Sequence, residues 1–301
     1  MLSRKNKLFL LKGLSLFSII RGYNVLVITL AQYLASVYIL APDLPLRQII
    51  FDPNLFVLVL ASALVISGGY IINSFYDSEK DLINRPHKTM LDRLVNQQTK
   101  LSAYFVFNFL AVFFASYVSF RAVVFFSIYI FAIWFYSHRL KKIPVIGNLV
   151  SATLIIVPFF AILVYYRNFE PVIFVHAVFL FLIILAREVV KDLENIAGDM
   201  AQNYKTIPIL YGAVISKMVI SVLIGLTIIP ALLLIDKFDV GYMYIYFTGC
   251  IFLLIVFLYL LWMAKSKKDY VLLHNILKFI IVLGVFSILL IDIDLVLNRI
   301  V

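Results

Sequence analysis

Residues 55–81 read LFVLVLASALVISGGYIINSFYDSEKD: an uncharged run that ends in Asn73 and then in three carboxylates, Asp77, Glu79 and Asp81. An apolar helix of about 20 residues crosses the hydrocarbon core of a bilayer, so 55–76 is a membrane span with acidic groups at its edge. The pattern returns at 172–199, VIFVHAVFLFLIILAREVVKDLENIAGD. Of the 16 Asp and Glu in the chain, seven (Asp77, Glu79, Asp81, Glu188, Asp192, Glu194 and Asp199) stand at the ends of these two runs. Carboxylates beside lipid cost several kcal/mol unless they are paired or hold a metal, which makes both clusters candidates for function.

The rest of the chain is equally apolar. It has 301 residues, 64% hydrophobic and 14% charged, with a mean hydropathy of +1.04. This composition excludes an ordinary soluble protein and predicts an all-α integral membrane bundle. About nine spans are legible, at 14–41, 55–76, 101–119, 122–138, 148–166, 172–190, 212–235, 241–264 and 271–291. No soluble domain interrupts them, so residues 1–301 read as one membrane domain. Pro158 and Pro230 fall inside spans as expected kink sites.

With the N-terminus and alternate loops on one side, 21 Lys and Arg fall there and five, Arg47, Arg121, Arg167, Lys237 and Arg299, fall on the other. The positive-inside rule then puts the N-terminus and both acidic loops in the cytoplasm and the C-terminus outside. Basic residues strung along juxtamembrane loops face anionic lipid or an anionic substrate, which excludes nucleic acid as the reason for the +10 charge. The lone Cys250 excludes an intramolecular disulfide and a cysteine metal cage. The apolar stretch after Lys12 is too long for a signal-peptide core and contains Arg21 and Asn24, which argues against a cleaved leader. No pattern calls for an obligate protein partner.

On a helix, Asn73, Asp77 and Asp81 share one stripe, and Glu188, Asp192, Asn195 and Asp199 share another. Oxygen ligands without suitable His or Cys suit a hard cation such as Mg²⁺, which keeps waters and shares its shell with substrate phosphates. Arg85, Lys88, Arg139, Lys141, Lys191 and Lys205 lie near these stripes in the sequence and are suited to a departing diphosphate. Lys265, Lys267 and Lys268 share the side but not a motif, and are expected to act on membrane orientation. The two acidic clusters suggest related halves of a bundle, although the flanking sequences do not prove a repeat.

Asn73-x-x-x-Asp77-x-x-x-Asp81 with Ile83-Asn84-Arg85-Pro86, and Lys191-Asp192-x-Glu194-Asn195-x-x-Gly198-Asp199 with Lys205-Thr206-Ile207-Pro208, together resemble the two aspartate-rich motifs of the UbiA family of intramembrane prenyltransferases. The resemblance covers nearly the whole chain. It implies transfer of a prenyl group from an allylic, polyprenyl diphosphate to a membrane-associated acceptor. Asn73, Asp77, Asp81, Asp192, Asn195 and Asp199 would hold Mg²⁺, Tyr136 would lie near the allylic cation, and Arg21 with Asn24 would line the cavity mouth. The chain departs from many members at Ser74 and at Asn195, where an Asp is common, which lowers the negative charge available to metal. The motif context is most similar to members that prenylate a glycerol-phosphate lipid and less so to those acting on quinone-precursor or chlorophyllide-type rings.

His87 and His138 read as ordinary surface, and His176 and His274 show no partner spacing. From another class, an ion-coupled secondary transporter would also carry intramembrane carboxylates, but near the bilayer midplane rather than at span ends. A membrane scaffold gives no reason for aligned carboxylates.

Overall fold

The computed structural model describes residues 4–292. Its helices are α1 (Arg4–Ile19), α2 (Gly22–Ala35), α3 (Leu46–Ile50), α4 (Pro53–Tyr76), α5 (Ser78–Asn84), α6 (Pro86–Asp92), α7 (Gln97–Val118), α8 (Phe120–His138), α9 (Ile146–Tyr166), α10 (Pro171–Glu194), α11 (Ile196–Ala201), α12 (Ile207–Asp236), α13 (Tyr244–Met263) and α14 (Lys267–Ser287). Among the described residues, nine helices are long and apolar enough to cross a membrane, beginning with Gly22–Leu40. Several starts are fixed by local chemistry. The Asp52 side chain accepts from the Asn54 amide ahead of α4, Asn96 accepts from the Thr99 amide ahead of α7, and Ser266 with Asp269 forms a capping box on α14.

The acidic helices α4 and α10 organise the bundle. α4 packs against α7, α8 and α2, while α10 packs against α12, α14 and α9. Both have 24 residues, both start on a proline, and they lie 118 residues apart (Pro53 against Pro171, Tyr76 against Glu194). Two sets of side-chain hydrogen bonds inside the bundle do what a lipid surround cannot. Pro158 has no N–H to give to the carbonyl of Leu154, and the Tyr129 hydroxyl donates to that carbonyl instead at 2.9 Å. Gln32, fully buried, donates to Ser62 Oγ at 3.2 Å and to the Pro158 carbonyl at 3.1 Å, tying α2, α4 and α9 together.

Three expectations change. The first span does not run from 14 to 41: the chain breaks at Arg21, whose backbone is left-handed (φ 49°, ψ 52°), so α1 is a separate helix. A non-glycine residue in that region ends a right-handed helix. α1 is held by side-chain bonds from Ser15 to the Leu91 carbonyl (2.8 Å) and from Ser18 to Asp92 (2.9 Å), with Leu10, Leu14 and Phe17 exposed. In α12 the break in backbone angles lies at Gly212 (φ 82°), not at Pro230. The polar stretch 77–100 is not a loop but the pair α5 and α6 followed by the start of α7. Arg299 and the C-terminal end lie outside the described residues.

Candidate active site

Each acidic motif is a broken helix rather than one continuous stripe. α4 stops at Asp77 (φ −94°, ψ 9°) before α5 begins, and α10 stops at Asn195 (φ −108°, ψ 12°) before α11 begins. The 118-residue offset therefore matches Asp77 with Asn195 and Asp81 with Asp199, and the charge missing at Asn195 falls at the second break. The turns redirect Asp81 and Asp199 onto short helices that pack against each other, α5 on α11.

Asn84 is the seam. Its Oδ1 accepts from the Gly198 amide at 3.1 Å and its Nδ2 approaches the Asn195 carbonyl at 3.4 Å, both buried. A Cβ at Gly198 would stand 2.3 Å from Asn84 Nδ2, so any larger residue there displaces the Asn84 side chain. Three further contacts cross the same junction: Lys80 with Asp199, Arg85 with Glu194 at 3.0 Å, and Gln202 with Glu79 at 3.0 Å.

Around this seam the carboxylates are distributed among partners. Asp77, buried, accepts from Lys141 Nζ at 2.6 Å and from the Tyr204 hydroxyl at 2.9 Å, and Lys141 also lies 3.4 Å from Asn73 Oδ1. Burial alone would raise the Asp77 carboxyl, yet Lys141 and Lys80 with the two hydrogen bonds hold it below the usual carboxylate value. Asp192 accepts from Asn148 at 2.8 Å. Glu188 accepts from Ser151 at 3.0 Å and pairs with Lys191.

Asp81 and Asp199 differ from Asp77. Burial, and then the Asp77 charge, pushes Asp81 up against the pull of Arg85, Arg21 and Lys80. Burial likewise pushes Asp199 up despite Lys80 beside it. Asp199 is fully buried, and neither of its oxygens accepts a well-aligned hydrogen bond. Lys80 is the cation paired with it, so a metal ion there would take the place of that ammonium. Among the described residues, no group of three or more His, Cys, Asp or Glu is already gathered around a point. The donor set still fits Mg²⁺, which takes one or two carboxylates and completes its shell with water and phosphate oxygens rather than demanding an all-protein cage.

The structure thus brings Asn73, Asp77, Asp81, Asp192, Asn195, Asp199, Arg85, Lys141 and Lys191 to one end of the bundle. Tyr136 on α8 stands within electrostatic range of Glu188, Asp192 and Asp77, between the two motifs. Arg21 lies over the Tyr70 ring at 5.0 Å, and Asn24 donates to the Tyr70 hydroxyl at 3.4 Å. Lys88 pairs with Asp92 at 3.8 Å and lies within electrostatic range of Asp81, Arg85 and Arg21. Arg139 and Lys205 are exposed, and Lys205 reaches the site only through its backbone, which donates to the Lys142 carbonyl at 3.2 Å.

Several participants are not evident from the motifs. Tyr204, Asn148 and Ser151 hold carboxylates, and Lys80 takes Asp199 although it sits inside the first motif. Lys267 donates to the Asn84 carbonyl at 2.8 Å, so it belongs to the seam and not with the membrane-orienting lysines. His274 lies 3.1 Å from Arg187 and 3.3 Å from Glu194, which gives it the partners its spacing did not suggest. A polar residue four or more positions from any motif gives no signal until the helices pack.

A helical membrane bundle with two acidic, lysine-lined arms joined at one end defines a polytopic intramembrane enzyme that acts on an anionic group. The comparisons narrow this class. The UbiA prenyltransferase family matches residues 25–282. The chain is 32% identical over 280 residues to digeranylgeranylglyceryl phosphate synthase of Thermococcus sibiricus, covering 90% of this chain and 95% of that one. It is 30% identical over 239 residues to the protein of the same name from Methanobrevibacter smithii, covering 75% and 80%. A solved digeranylgeranylglyceryl phosphate synthase structure shares the fold with a TM-score of 0.69 at 20% identity, covering 92% of this chain and 97% of that one. A UbiA homolog from Archaeoglobus fulgidus bound to GPP and Mg²⁺ superposes with a TM-score of 0.66 at 13% identity, covering 91% and 99%. The chain belongs to the UbiA prenyltransferase family: it is a multi-pass integral membrane prenyltransferase.

Proposed function

We propose that the enzyme transfers a prenyl group from a polyprenyl diphosphate to a membrane-borne glycerol-phosphate lipid, with Mg²⁺ required and the site on the cytoplasmic face. The observation that carries this reading is the Asn84 seam, which fastens the two acidic arms into one polar head above an apolar bundle. The relatives' shared name favours the glycerol-phosphate acceptor over an aromatic ring, and the whole chain is read as one catalytic domain.

Asn73, Asp77, Asp81, Asp192, Asn195 and Asp199 are the residues that would hold Mg²⁺. When bound, the metal supplies the positive charge that lets a diphosphate leave. The protein's own groups do the rest. Lys141 and Lys80 neutralise Asp77 and Asp199 in the metal-free protein, and the same ammonium groups are placed to turn toward phosphate oxygens. Glu194 orients Arg85 at the seam, and Asn148 fixes the rotamer of Asp192. Tyr136 offers an electron-rich ring beside the acidic groups, suited to a positive carbon. The allylic carbon–oxygen bond breaks with its electron pair going to the departing pyrophosphate at the charged head, and the carbon is captured by an acceptor hydroxyl oxygen from the membrane, whose proton is released to the pyrophosphate.

The test is pyrophosphate release by purified protein given an allylic diphosphate, Mg²⁺ and a glycerol-phosphate lipid. Release that needs the metal, and is lost in Asp77→Ala and Asp199→Ala while both remain folded, supports the reading. Metal-independent release, or full activity in either variant, overturns it.

A further inference from the structure

α14 carries neither acidic motif, yet two of its side chains reach the polar head. Lys267, in its first turn, donates to the Asn84 carbonyl at 2.8 Å, and His274, seven residues further along the same helical face, stands between Arg187 and Glu194 of α10. The His274 side chain is only 12% exposed, so the groups at its two ring nitrogens decide its state. Arg187 Nη2 lies 3.1 Å from Nε2. A guanidinium only donates, so Nε2 carries no hydrogen and the ring is the neutral tautomer with its hydrogen on Nδ1. Nδ1 faces Glu194 Oε2 at 3.3 Å without the alignment of a full hydrogen bond, and it has no other acceptor among the described residues. The opposite tautomer would set an N–H against the guanidinium and a lone pair against the carboxylate, so both partners select the same form.

Arg187 and Glu194 lie two turns apart on α10, ~10 Å along its axis at the usual helical rise. The guanidinium and the imidazole together span that distance, and the line ends on the last residue of α10, directly before the break at Asn195. From there it crosses to the other arm. Glu194 Oε1 accepts from Arg85 at 3.0 Å, so one carboxylate oxygen meets Arg85 while the other meets His274. Arg85 is a third exposed and long enough to wander, which leaves the plane of the Glu194 carboxylate to set where its guanidinium stands. His274 fixes that plane from α14.

We propose that His274 is a positioning residue for prenyl transfer: its Nδ1 hydrogen holds the Glu194 carboxylate so that Arg85 stands ready for the departing diphosphate. Its Nε2 has a separate task, which is to give the buried Arg187 an acceptor. The two nitrogens therefore serve different ends, one the reaction and the other the stability of the bundle. The inference rests on the assignment of Arg85 to the diphosphate.

Two amide side chains separate these tasks, since glutamine reaches the Nε2 position and asparagine the Nδ1 position. His274→Gln keeps an oxygen for Arg187 and loses the donor to Glu194, whereas His274→Asn keeps a donor for Glu194 and loses the acceptor for Arg187. The experiment measures the affinity of the full-length protein in lipid nanodiscs for inorganic pyrophosphate with Mg²⁺, which needs no acceptor, together with kcat/KM for geranylgeranyl diphosphate and thermal unfolding. The expected results cross. His274→Gln loses at least ~10-fold in pyrophosphate affinity and in kcat/KM with its unfolding temperature kept, while His274→Asn unfolds at a lower temperature with both values within about threefold of wild type. In an Arg85→Gln background His274→Gln costs nothing further, because the group it positions is gone. Equal losses in both variants, full function in both, or losses that multiply with Arg85→Gln overturn the role of His274 and leave prenyl transfer intact. Full pyrophosphate affinity and activity in Arg85→Gln overturn the assignment of Arg85 and this inference with it.

Discussion

Gly198→Ala and Asn84→Ala should each damage the enzyme, and the two together should be no worse than one. Alanine at 198 places a Cβ 2.3 Å from Asn84 Nδ2, closer than atoms tolerate, so the amide must leave its position. Its departure strands the buried amide N–H at 198, which Asn84 Oδ1 accepts at 3.1 Å, and an unsatisfied buried donor costs about 1–3 kcal/mol. The 3.4 Å approach of Asn84 Nδ2 to the Asn195 carbonyl is too long to add much. Asn84→Ala strands the same N–H by removing the acceptor directly. In the double variant the space vacated by Asn84 accepts the new Cβ, so the second change adds little. A double-mutant cycle on kcat/KM per folded enzyme, with thermal unfolding in parallel, reads the coupling as ~1–2 kcal/mol. Additive losses would refute the idea that one asparagine fastens the two arms.

Other outcomes follow from the charge arrangement. Arg85→Gln and Lys141→Ala are expected to lower kcat/KM by at least ~10-fold, about 1.4 kcal/mol of transition-state stabilisation, whereas Lys268→Ala leaves it unchanged. Lys267→Ala should fall with the first pair in activity assays, because it donates to the Asn84 carbonyl. Asp199→Asn should abolish turnover yet leave the metal-free protein as stable as wild type or more so in thermal unfolding, since burial already disfavours that charge. Were Asp81 and Asp199 to hold the metal as proposed, protons would compete for them, because their carboxyls sit above the usual value of 3.8. Mg²⁺ affinity by calorimetry should therefore fall as pH falls toward their raised range and be constant well above it. The Asp77 contribution to stability has the opposite sense: its lowered folded value makes it favourable above 3.8 and lost as pH falls through the folded value. Cysteine labelling of α5 and α11 in a Cys250→Ser background should report the same, cytoplasmic side for both; opposite sides would exclude a shared site.

The bundle was legible because lipid leaves backbone polar groups no option except helices, and nine apolar runs of span length are visible in composition alone. What the hydropathy of 14–41 concealed was the left-handed turn at Arg21, a single residue's backbone angle that no window average senses. The motif carboxylates were legible by spacing, but spacing treats a helix as continuous. The breaks at Asp77 and Asn195 turn Asp81 and Asp199 onto separate short helices, and only packing reveals that these meet. Tyr204, Asn148 and Lys267 escaped because their importance comes from a partner far away in sequence: Tyr204 lies 127 residues from Asp77. Conversely, Lys205 follows a motif closely and still points its side chain to solvent.

The central claim is that the joined acidic arms form a metal-dependent site for prenyl transfer to a glycerol-phosphate lipid. The most direct measurement is mass spectrometry of lipid products formed by purified enzyme in nanodiscs with geranylgeranyl diphosphate, a geranylgeranylglycerol phosphate acceptor, and either Mg²⁺ or a chelator. The account predicts a product heavier than the acceptor by one geranylgeranyl group in place of hydrogen, with matching pyrophosphate, present with Mg²⁺ and absent with chelator or in Asp77→Ala. Prenylation of an aromatic acceptor but not of the glycerol-phosphate lipid, or product formation that persists in chelator, would contradict it.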